Sequence, residues 1–518
     1  MDRVTPILRL LLVLCVVQTA AHAASQARKP NILFIMSDDH TTQAMGAYGS
    51  RLAALNPTPN IDVLAQNGMR FDRVYCNNAI CTPSRASIIT GQYSQTNGVL
   101  DLDGNIPSDR QFLPMEMSRA GYHTAMIGKW HLKREPAAFD YYCVLPGQGK
   151  YFDPDFRVRG QRPWPRNVIR KAGQHSSDAI TDISLQWLKT GWDKDKPFFL
   201  MHHFKAPHDM FHNATRYDRY LDDVTIPEPD NLYDQPAPGA GSMATRGQHD
   251  SLISKIGAGV TKRCNTWRLG QRLGVDPDLQ DPEFGRETYQ RYLKRYLRCV
   301  KGVDDNVKRL LDHLEASGEL ENTVILYTGD QGFFLGEHDL MDKRWMYEEA
   351  FRMPFIVHYP RMVKAGSTNG WLINNTDFAP TMLALAGVKT PTYMQGHSFL
   401  GALQGRAKPD HWRTSLYYRY WMHMAHNLGT PAHFGLRNEQ YKLIFFYGAN
   451  TEGKANTPAA WEFYDLETDP DEMHNAYENP KNQSMIVRMK AELKQVRADL
   501  NETDVKFPGI QKIIEAHW

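Results

Sequence analysis

Cysteine is scarce in this chain: six Cys among 518 residues, which excludes a small scaffold held open by dense disulfides. Long apolar runs are also lacking. Nothing after residue 30 is long and apolar enough to cross a bilayer as a helix, so the body of the chain has no membrane span. No charge sign dominates, because 60 Lys and Arg stand against 58 Asp and Glu for a formal +2. Such a balance supplies no global field for nucleic acid or an anionic membrane, and any preference for anions has to be local. Internal repeats and low-complexity tracts are absent too.

What is present begins with a leader. Arg3 and Arg9 surround the start of an apolar stretch that runs through residues 10–17, and small residues follow at Ala21, Ala23 and Ala24. That order reads as a secretory signal peptide over residues 1–24, giving an exported product, periplasmic, secreted or lumenal. A lipoprotein anchor at Cys15 competes, but bulky Leu14 occupies a place where such a site wants a small residue. Export leaves Cys76, Cys81, Cys143, Cys264 and Cys299. If Cys81 is converted, the other four allow up to two disulfides, or none.

The remaining length exceeds one comfortable core, and the texture divides it into a larger unit over 25–395 and a smaller one over 396–518. Short apolar runs at 32–36, 198–201, 324–327 and 355–357 read as strands covered on both faces, with helical patterns between them. The expected fold class is α/β, with a large mixed, mostly parallel sheet between helices. After Gly396, aromatic strands at 415–420, 433–437, 441–446 and 461–466 and a helix containing Ile486, Met489 and Leu493 predict a small antiparallel sheet plus helix. The segment 225–285, rich in Gly, Pro, Asp and Gln, reads as an irregular insertion overhanging the active site.

Residues 81–85 read Cys-Thr-Pro-Ser-Arg. Thr82 suits a helix cap, Pro83 the first turn and Gly91 the end, which sets Cys81 at the positive end of a helix dipole with Arg85 four residues on. That is a setting for a nucleophile or an anionic substrate, not for a packing cysteine. Four polar clusters follow strand patterns, Asp38-Asp39-His40, Gly128-Lys129-Trp130-His131 and Gly329-Asp330-Gln331 directly and Lys205-Ala206-Pro207-His208 shortly after the run at 198–201. Because open α/β sheets bind ligands at the carboxyl ends of their strands, all four converge on one crevice. Asp38, Asp39, Asp330 and Gln331 are hard oxygen donors suited to Ca²⁺, or second to Mg²⁺. Lys129 and His131, two apart, leave the same face of an extended segment and pair a fixed charge with a proton carrier.

These blocks resemble the type I sulfatases of the alkaline-phosphatase-like superfamily, from about Pro30 to the chain end, most specifically through Cys81 to Arg85 with Gly91. The resemblance implies an alkaline-phosphatase-like fold and conversion of Cys81 to formylglycine by a formylglycine-generating or sulfatase-maturating enzyme. It also implies one Ca²⁺ held by Asp38, Asp39, Asp330 and Gln331 and touching residue 81; Gln331 departs from the usual Asn or His. By the same likeness Arg85 and Lys129 hold the hydrated aldehyde, Lys129, Lys343 and His208 grip sulfate, His208 protonates the leaving oxygen and His131 regenerates the aldehyde. His338, Arg344, Trp345 and Arg437 are further substrate-binding candidates. The implied activity is hydrolysis of a sulfate ester on a polysaccharide or glycosaminoglycan. Weak likeness around Gln148-Gly149-Lys150-Tyr151 and Tyr441-Lys442-Leu443-Ile444 points to 6-O-sulfated N-acetylglucosamine. Two rivals stand beside it: a phosphodiester or phosphonate monoester hydrolase of the same superfamily, and an inactive carbohydrate-binding relative.

Overall fold

A computed structural model describes residues 28–160, 162–233, 269–280 and 282–518. The leader, Cys264 and the central part of the expected 225–285 overhang lie outside the described residues.

The large sheet contains β1 (Asn31–Asp38), β2 (Met69–Phe71), β3 (His123–Lys129), β4 (Tyr141–Leu145), β5 (Asp155–Val158), β6 (Val168–Arg170), β7 (Phe198–Pro207), β8 (Thr323–Gly329), β9 (Phe355–His358) and β10 (Ser367–Asn369). Their order is β10-β2-β9-β8-β1-β7-β3-β4-β5-β6. The centre, β8-β1-β7-β3-β4, is parallel. The run at 355–357 forms a buried strand, and β9 lies antiparallel to β8, which makes the sheet mixed and mostly parallel as expected.

Alternation along β1 shows why its apolar run is continuous. Ile32, Phe34 and Met36 enter a core on one face, and Leu33 and Ile35 a core on the other. Each such fully buried side chain contributes roughly 1.5–3 kcal/mol. The first face is covered by α1 (Cys81–Thr90) through Ile88 and Ile89. The second is covered by α2 (Ser176–Gln186) and α3 (Glu283–Ala316), whose Tyr289, Tyr292, Leu293, Tyr296, Val300, Val303, Val307, Leu310 and Leu314 are buried.

The antiparallel sheet of four strands, β11 (Ser415–Tyr420), β12 (His433–Asn438), β13 (Tyr441–Phe446) and β14 (Ala460–Asp465), matches the aromatic strands expected. Tyr418, Tyr420, Ile444 and Phe446 join the core of the large sheet, while Leu443, Phe445 and Phe463 pack beneath α4 (Gln483–Asp499) through Ile486, Met489 and Leu493. A further helix, α5 (Pro508–His517), closes this side and was not anticipated. The described cysteines Cys76, Cys81, Cys143 and Cys299 are buried and free, so none of these four is paired.

Candidate active site

β1, β3, β7 and β8 are neighbours, and their carboxyl ends deliver all four polar clusters to one place. At Gly128 the chain passes so close to β7 that a Cβ would lie 1.9 Å from the His203 carbonyl oxygen, with φ at +104°. Only glycine admits that approach without a shift.

Cys81 is the first residue of α1, and its cap is Ile80 rather than Thr82. Thr82 lies inside the first turn, and its Oγ1 sits 3.3 Å from His131 Nδ1, which takes the hydroxyl the cap would have used. Gly91 ends the helix as expected, at φ +65°, with its N–H on the Ser87 carbonyl. The shared-face argument for Lys129 and His131 fails in detail: β3 stops at Lys129 and His131 has φ +56°. Both side chains nevertheless reach the site.

Arg85 ties three strand ends together. Its Nε and Nη2 donate to Asp330 Oδ2 at 3.0 and 2.9 Å, Nη2 also reaches Asp38 Oδ1 at 3.3 Å, and Nη1 donates to the Lys129 carbonyl at 2.6 Å. Lys129 Nζ pairs with Asp38 Oδ2 and donates to Gln148 Oε1 at 2.5 Å. Lys343 Nζ spans both oxygens of Asp39 at 2.8 and 2.7 Å. His208 presents Nε2 to Asp39 Oδ2 at 3.8 Å and Nδ1 to Asp209 Oδ1 at 2.5 Å.

Ligating atoms of Asp38, Cys81 and His208 lie within 4.8 Å of one another, and so do those of Asp38, Asp39 and Asp330. Burial raises all three carboxyls toward protonation, but Lys129, His208 and Arg85 outweigh it at Asp38 and hold that group well below the usual range. Asp39 stays raised by burial despite Lys343 and His208. Burial and the neighbouring Asp38 charge push Asp330 up to about 7. Gln331 Nε2 donates to Asp39 Oδ1, which leaves its buried Oε1 without a partner. Converging carboxylates that resist joint ionisation, beside an orphaned amide oxygen, fit a hard dication.

The two histidines are driven apart. Burial, then Lys129 and Arg85, pushes His131 down to about 2, so its ring is neutral. Burial and Lys129 also act against the His208 cation, but the Asp38 and Asp39 carboxylates outweigh them and raise it to about 10. Two titratable groups pushed apart in one crevice are a base and an acid in waiting.

Of the four further candidates, only Arg344 reaches the rim. Its Nε donates to Asp342 Oδ2 at 2.6 Å, Nη1 to Tyr420 OH at 2.9 Å, and Nη2 lies 3.2 Å from His426 Nδ1. Asp342 and Arg344 flank Lys343 at φ +81° and +90°, a strained backbone that costs about 1–3 kcal/mol per residue and fixes where the lysine points. His338 stacks on Tyr347 at 5.2 Å, Trp345 on Tyr347 and His433, and Arg437 pairs with Glu348 at 3.1 Å, so these three sit in the seam between the sheets. Asp209, Asp342 and His426 were missed. Adjacency to His208 and to Lys343 was the available signal for the first two; His426 carried none.

A buried cradle of carboxylates and cations at the carboxyl end of a mixed sheet, with a cysteine at a helix start inside it, defines a hydrolase for a small tetrahedral oxyanion. The sulfatase family profile matches residues 30–388, and that of the N-sulphoglucosamine sulphohydrolase C-terminal region matches 336–499. The chain belongs to the sulfatase family and is a sulfuric ester hydrolase. An N-acetylglucosamine-6-O-sulfatase of Bacteroides thetaiotaomicron is 38% identical, covering 98% of this chain and 94% of the relative. The Homo sapiens N-acetylglucosamine-6-sulfatase is 28% identical over 77% of this chain and 68% of its own length. The structure of BT4656 in complex with its substrate D-glucosamine-2-N,6-O-disulfate superposes with a TM-score of 0.79 at 36% identity, covering 92% of this chain and all of that one. A phosphonate monoester hydrolase from Silicibacter pomeroyi, 20% identical with a TM-score of 0.68, shares the fold.

Proposed function

We propose that this sulfatase removes the 6-O-sulfate from N-acetylglucosamine or a related glucosamine of a sulfated polysaccharide or glycosaminoglycan, after export. The reading is carried by one observation: Cys81 at the start of α1 shares a 4.8 Å neighbourhood with Asp38 and His208. The relatives named above, one acting on N-acetylglucosamine 6-sulfate by name and one bound to a 6-O-sulfated glucosamine, support the sugar.

Residue 81, once converted from cysteine to formylglycine by a maturation enzyme, would supply the hydrated aldehyde as the nucleophile toward sulfur. Asp38, Asp39, Asp330 and Gln331 would hold Ca²⁺, which would supply charge neutralisation for sulfate. The chain's own groups do the rest. Lys129 and Lys343 are positioned by carboxylates to present ammonium groups to the anion. Neutral His131 takes a proton from residue 81, and cationic His208 gives one to the leaving sugar oxygen. Arg344, braced by Asp342, Tyr420 and His426 beside Lys343, is the group we assign to the sugar hydroxyls.

The phosphonate hydrolase reading shares the fold, and matched aryl sulfate and aryl phosphate esters separate the two. An inactive relative would have lost Cys81, Arg85 or the carboxylates, and all are in place. The experiment is desulfation of a panel of 2-O-, 3-O-, 4-O- and 6-O-sulfated glucosamines and galactosamines, alongside the mass of the peptide holding residue 81. Release from the 6-O-sulfated glucosamines with a peptide about 18 Da lighter supports the reading. Full activity with an intact thiol, or preference for a galactosamine sulfate, sinks it.

A further inference from the structure

Residues 157–171 carry Arg157, Arg159, Arg162, Arg166, Arg170 and Lys171 and no acidic residue. In a chain whose formal charge is only +2, six cations in one short segment make a local positive field. The segment is β5, β6 and the turn between them, at the edge of the large sheet. Arg159, Arg162, Arg166 and Arg170 are exposed, and among the described residues none of the five arginines forms an ion pair; the hairpin's own Asp155 is taken by Lys150 at 3.1 Å. Cations on an outer strand deter edge-to-edge pairing, which accounts for Arg170. Edge protection does not account for Arg162 and Arg166 in the turn.

The turn also carries Trp164, half-buried, with Arg157 Cζ 4.7 Å from its ring centre. Arg157 Nε is buried and has no hydrogen-bond partner. Trp164 faces a cleft of about 600 Å³, lined also by Asn105, Ser108, Lys133, Arg134 and Glu135. That volume lies within the ~300–1,000 Å³ of ligand clefts. The carboxylate of Glu135 accepts from Tyr142 OH at 2.6 Å. The cleft follows the active site closely along the chain: Lys133 is two residues beyond His131, and its Nζ donates to Asp103 at 2.6 Å. Asp103 lies in turn within electrostatic reach of His426, the partner of Arg344 on the rim.

We infer that the Lys133–Trp164 cleft and the arginine hairpin form an extended subsite for the sugars flanking the one being desulfated, in a polyanionic sulfated oligosaccharide. The inference rests on the sulfated-glycan reading above. An indole ringed by amide, hydroxyl and guanidinium groups suits a sugar ring with sulfates around it, and the link from Lys133 through Asp103 to His426 beside Arg344 favours that chain over other polyanions. The cleft takes the adjoining residue and the hairpin holds the chain beyond it by charge.

The test uses the complete enzyme with two variants, Trp164→Ala and the triple Arg162→Ser/Arg166→Ser/Arg170→Ser. Probes are a heparin octasaccharide, 6-O-sulfated N-acetylglucosamine as a monosaccharide, and a single-stranded DNA of equal charge. The triple variant should lose about tenfold or more in kcat/KM on the octasaccharide, chiefly through KM, with monosaccharide turnover unchanged. Its log–log salt dependence of heparin binding should flatten by about 2–3, since each cation releases roughly one counterion. Trp164→Ala should weaken octasaccharide binding and keep the salt slope. A parallel loss on both saccharides, an unchanged salt slope, or equal affinity for the DNA overturns the inference. If the unaltered enzyme desulfates neither saccharide, the functional reading falls, while the heparin comparison still decides this surface.

Discussion

Asp209 Oδ1 lies 2.5 Å from His208 Nδ1, while the opposite ring nitrogen of His208 faces Asp39 Oδ2 at 3.8 Å. A carboxylate on Nδ1 fixes the ring's orientation and leaves Nε2–H aimed at the anion. The His208 charge in turn holds the Asp209 carboxyl well below its usual range, against burial. Orientation and proton availability at the leaving oxygen therefore depend on a residue that is not itself in the sulfate cradle.

Asp209→Asn should lower kcat on a sugar sulfate by about 10–100-fold. The Asp209 carbonyl, 3.0 Å from the same nitrogen, survives the change and limits the loss. On 4-nitrophenyl sulfate, whose leaving group needs little proton help, the loss should be several-fold smaller. His208→Ala should show the same asymmetry more strongly. Equal losses on the sugar and aryl substrates would show that Asp209 merely supports the fold.

The metal reading predicts a stability change as well as a rate change. Asp39→Ala or Asp330→Ala should bring Ca²⁺, measured by elemental analysis, from about one per chain to far below stoichiometry. Chelation of the unaltered enzyme should lower its thermal midpoint, because a ligand at 100 times its Kd stabilises the folded state by about 2.7 kcal/mol. Chelator-treated Asp39→Ala should show no further drop. Active protein with stoichiometric Zn²⁺ and no Ca²⁺ would contradict the oxygen-donor argument.

The cradle was legible because its residues follow strands directly. Asp38, Lys129 and Asp330 sit close to where a short apolar run ends and His208 follows the end of β7, and a parallel sheet brings such ends together whatever the loops do. The cap was not legible. Thr82 has the right chemistry for it, but His131 competes for the hydroxyl, and that contact spans 49 positions in sequence. The seam position of His338, Trp345 and Arg437 was not legible for a related reason: charge and aromaticity mark a seam between two sheets as readily as a sugar site, and only packing tells them apart. The antiparallel course of β9 was hidden because a strand buried on both faces reads the same in either direction.

Gly128→Ala tests how tightly β3 and β7 define the site. A methyl group there meets the His203 carbonyl oxygen at 1.9 Å, and its φ of +104° strains any L side chain. A destabilisation of about 2–4 kcal/mol is expected, read as a lower thermal midpoint and reduced soluble yield. What folds should also turn over poorly, since Lys129 and His131 follow directly. A variant with unaltered midpoint and activity would mean that the two strands separate at little cost.

Arg419 is the test of the second sheet. It is buried at 2% exposure, donates from Nη1 to Glu502 and, at 2.8 Å, to Asp504, and lies 3.5 Å over the Trp421 ring. Arg497 also pairs with Asp504, so two guanidiniums and two carboxylates close the contact between β11 and the segment joining α4 to α5. Removing one charge from such a set strands another in a low dielectric. Arg419→Ala should cost about 3–5 kcal/mol. Arg419→Met combined with Glu502→Gln should cost clearly less, because Asp504 keeps Arg497 as its partner, no unpaired carboxylate remains and the thioether keeps the contact with Trp421. Denaturant unfolding of the set measures the difference, with Ca²⁺ content as the control that the cradle is intact. If the double variant is no more stable than Arg419→Ala, packing around the guanidinium rather than charge pairing holds this corner of the fold.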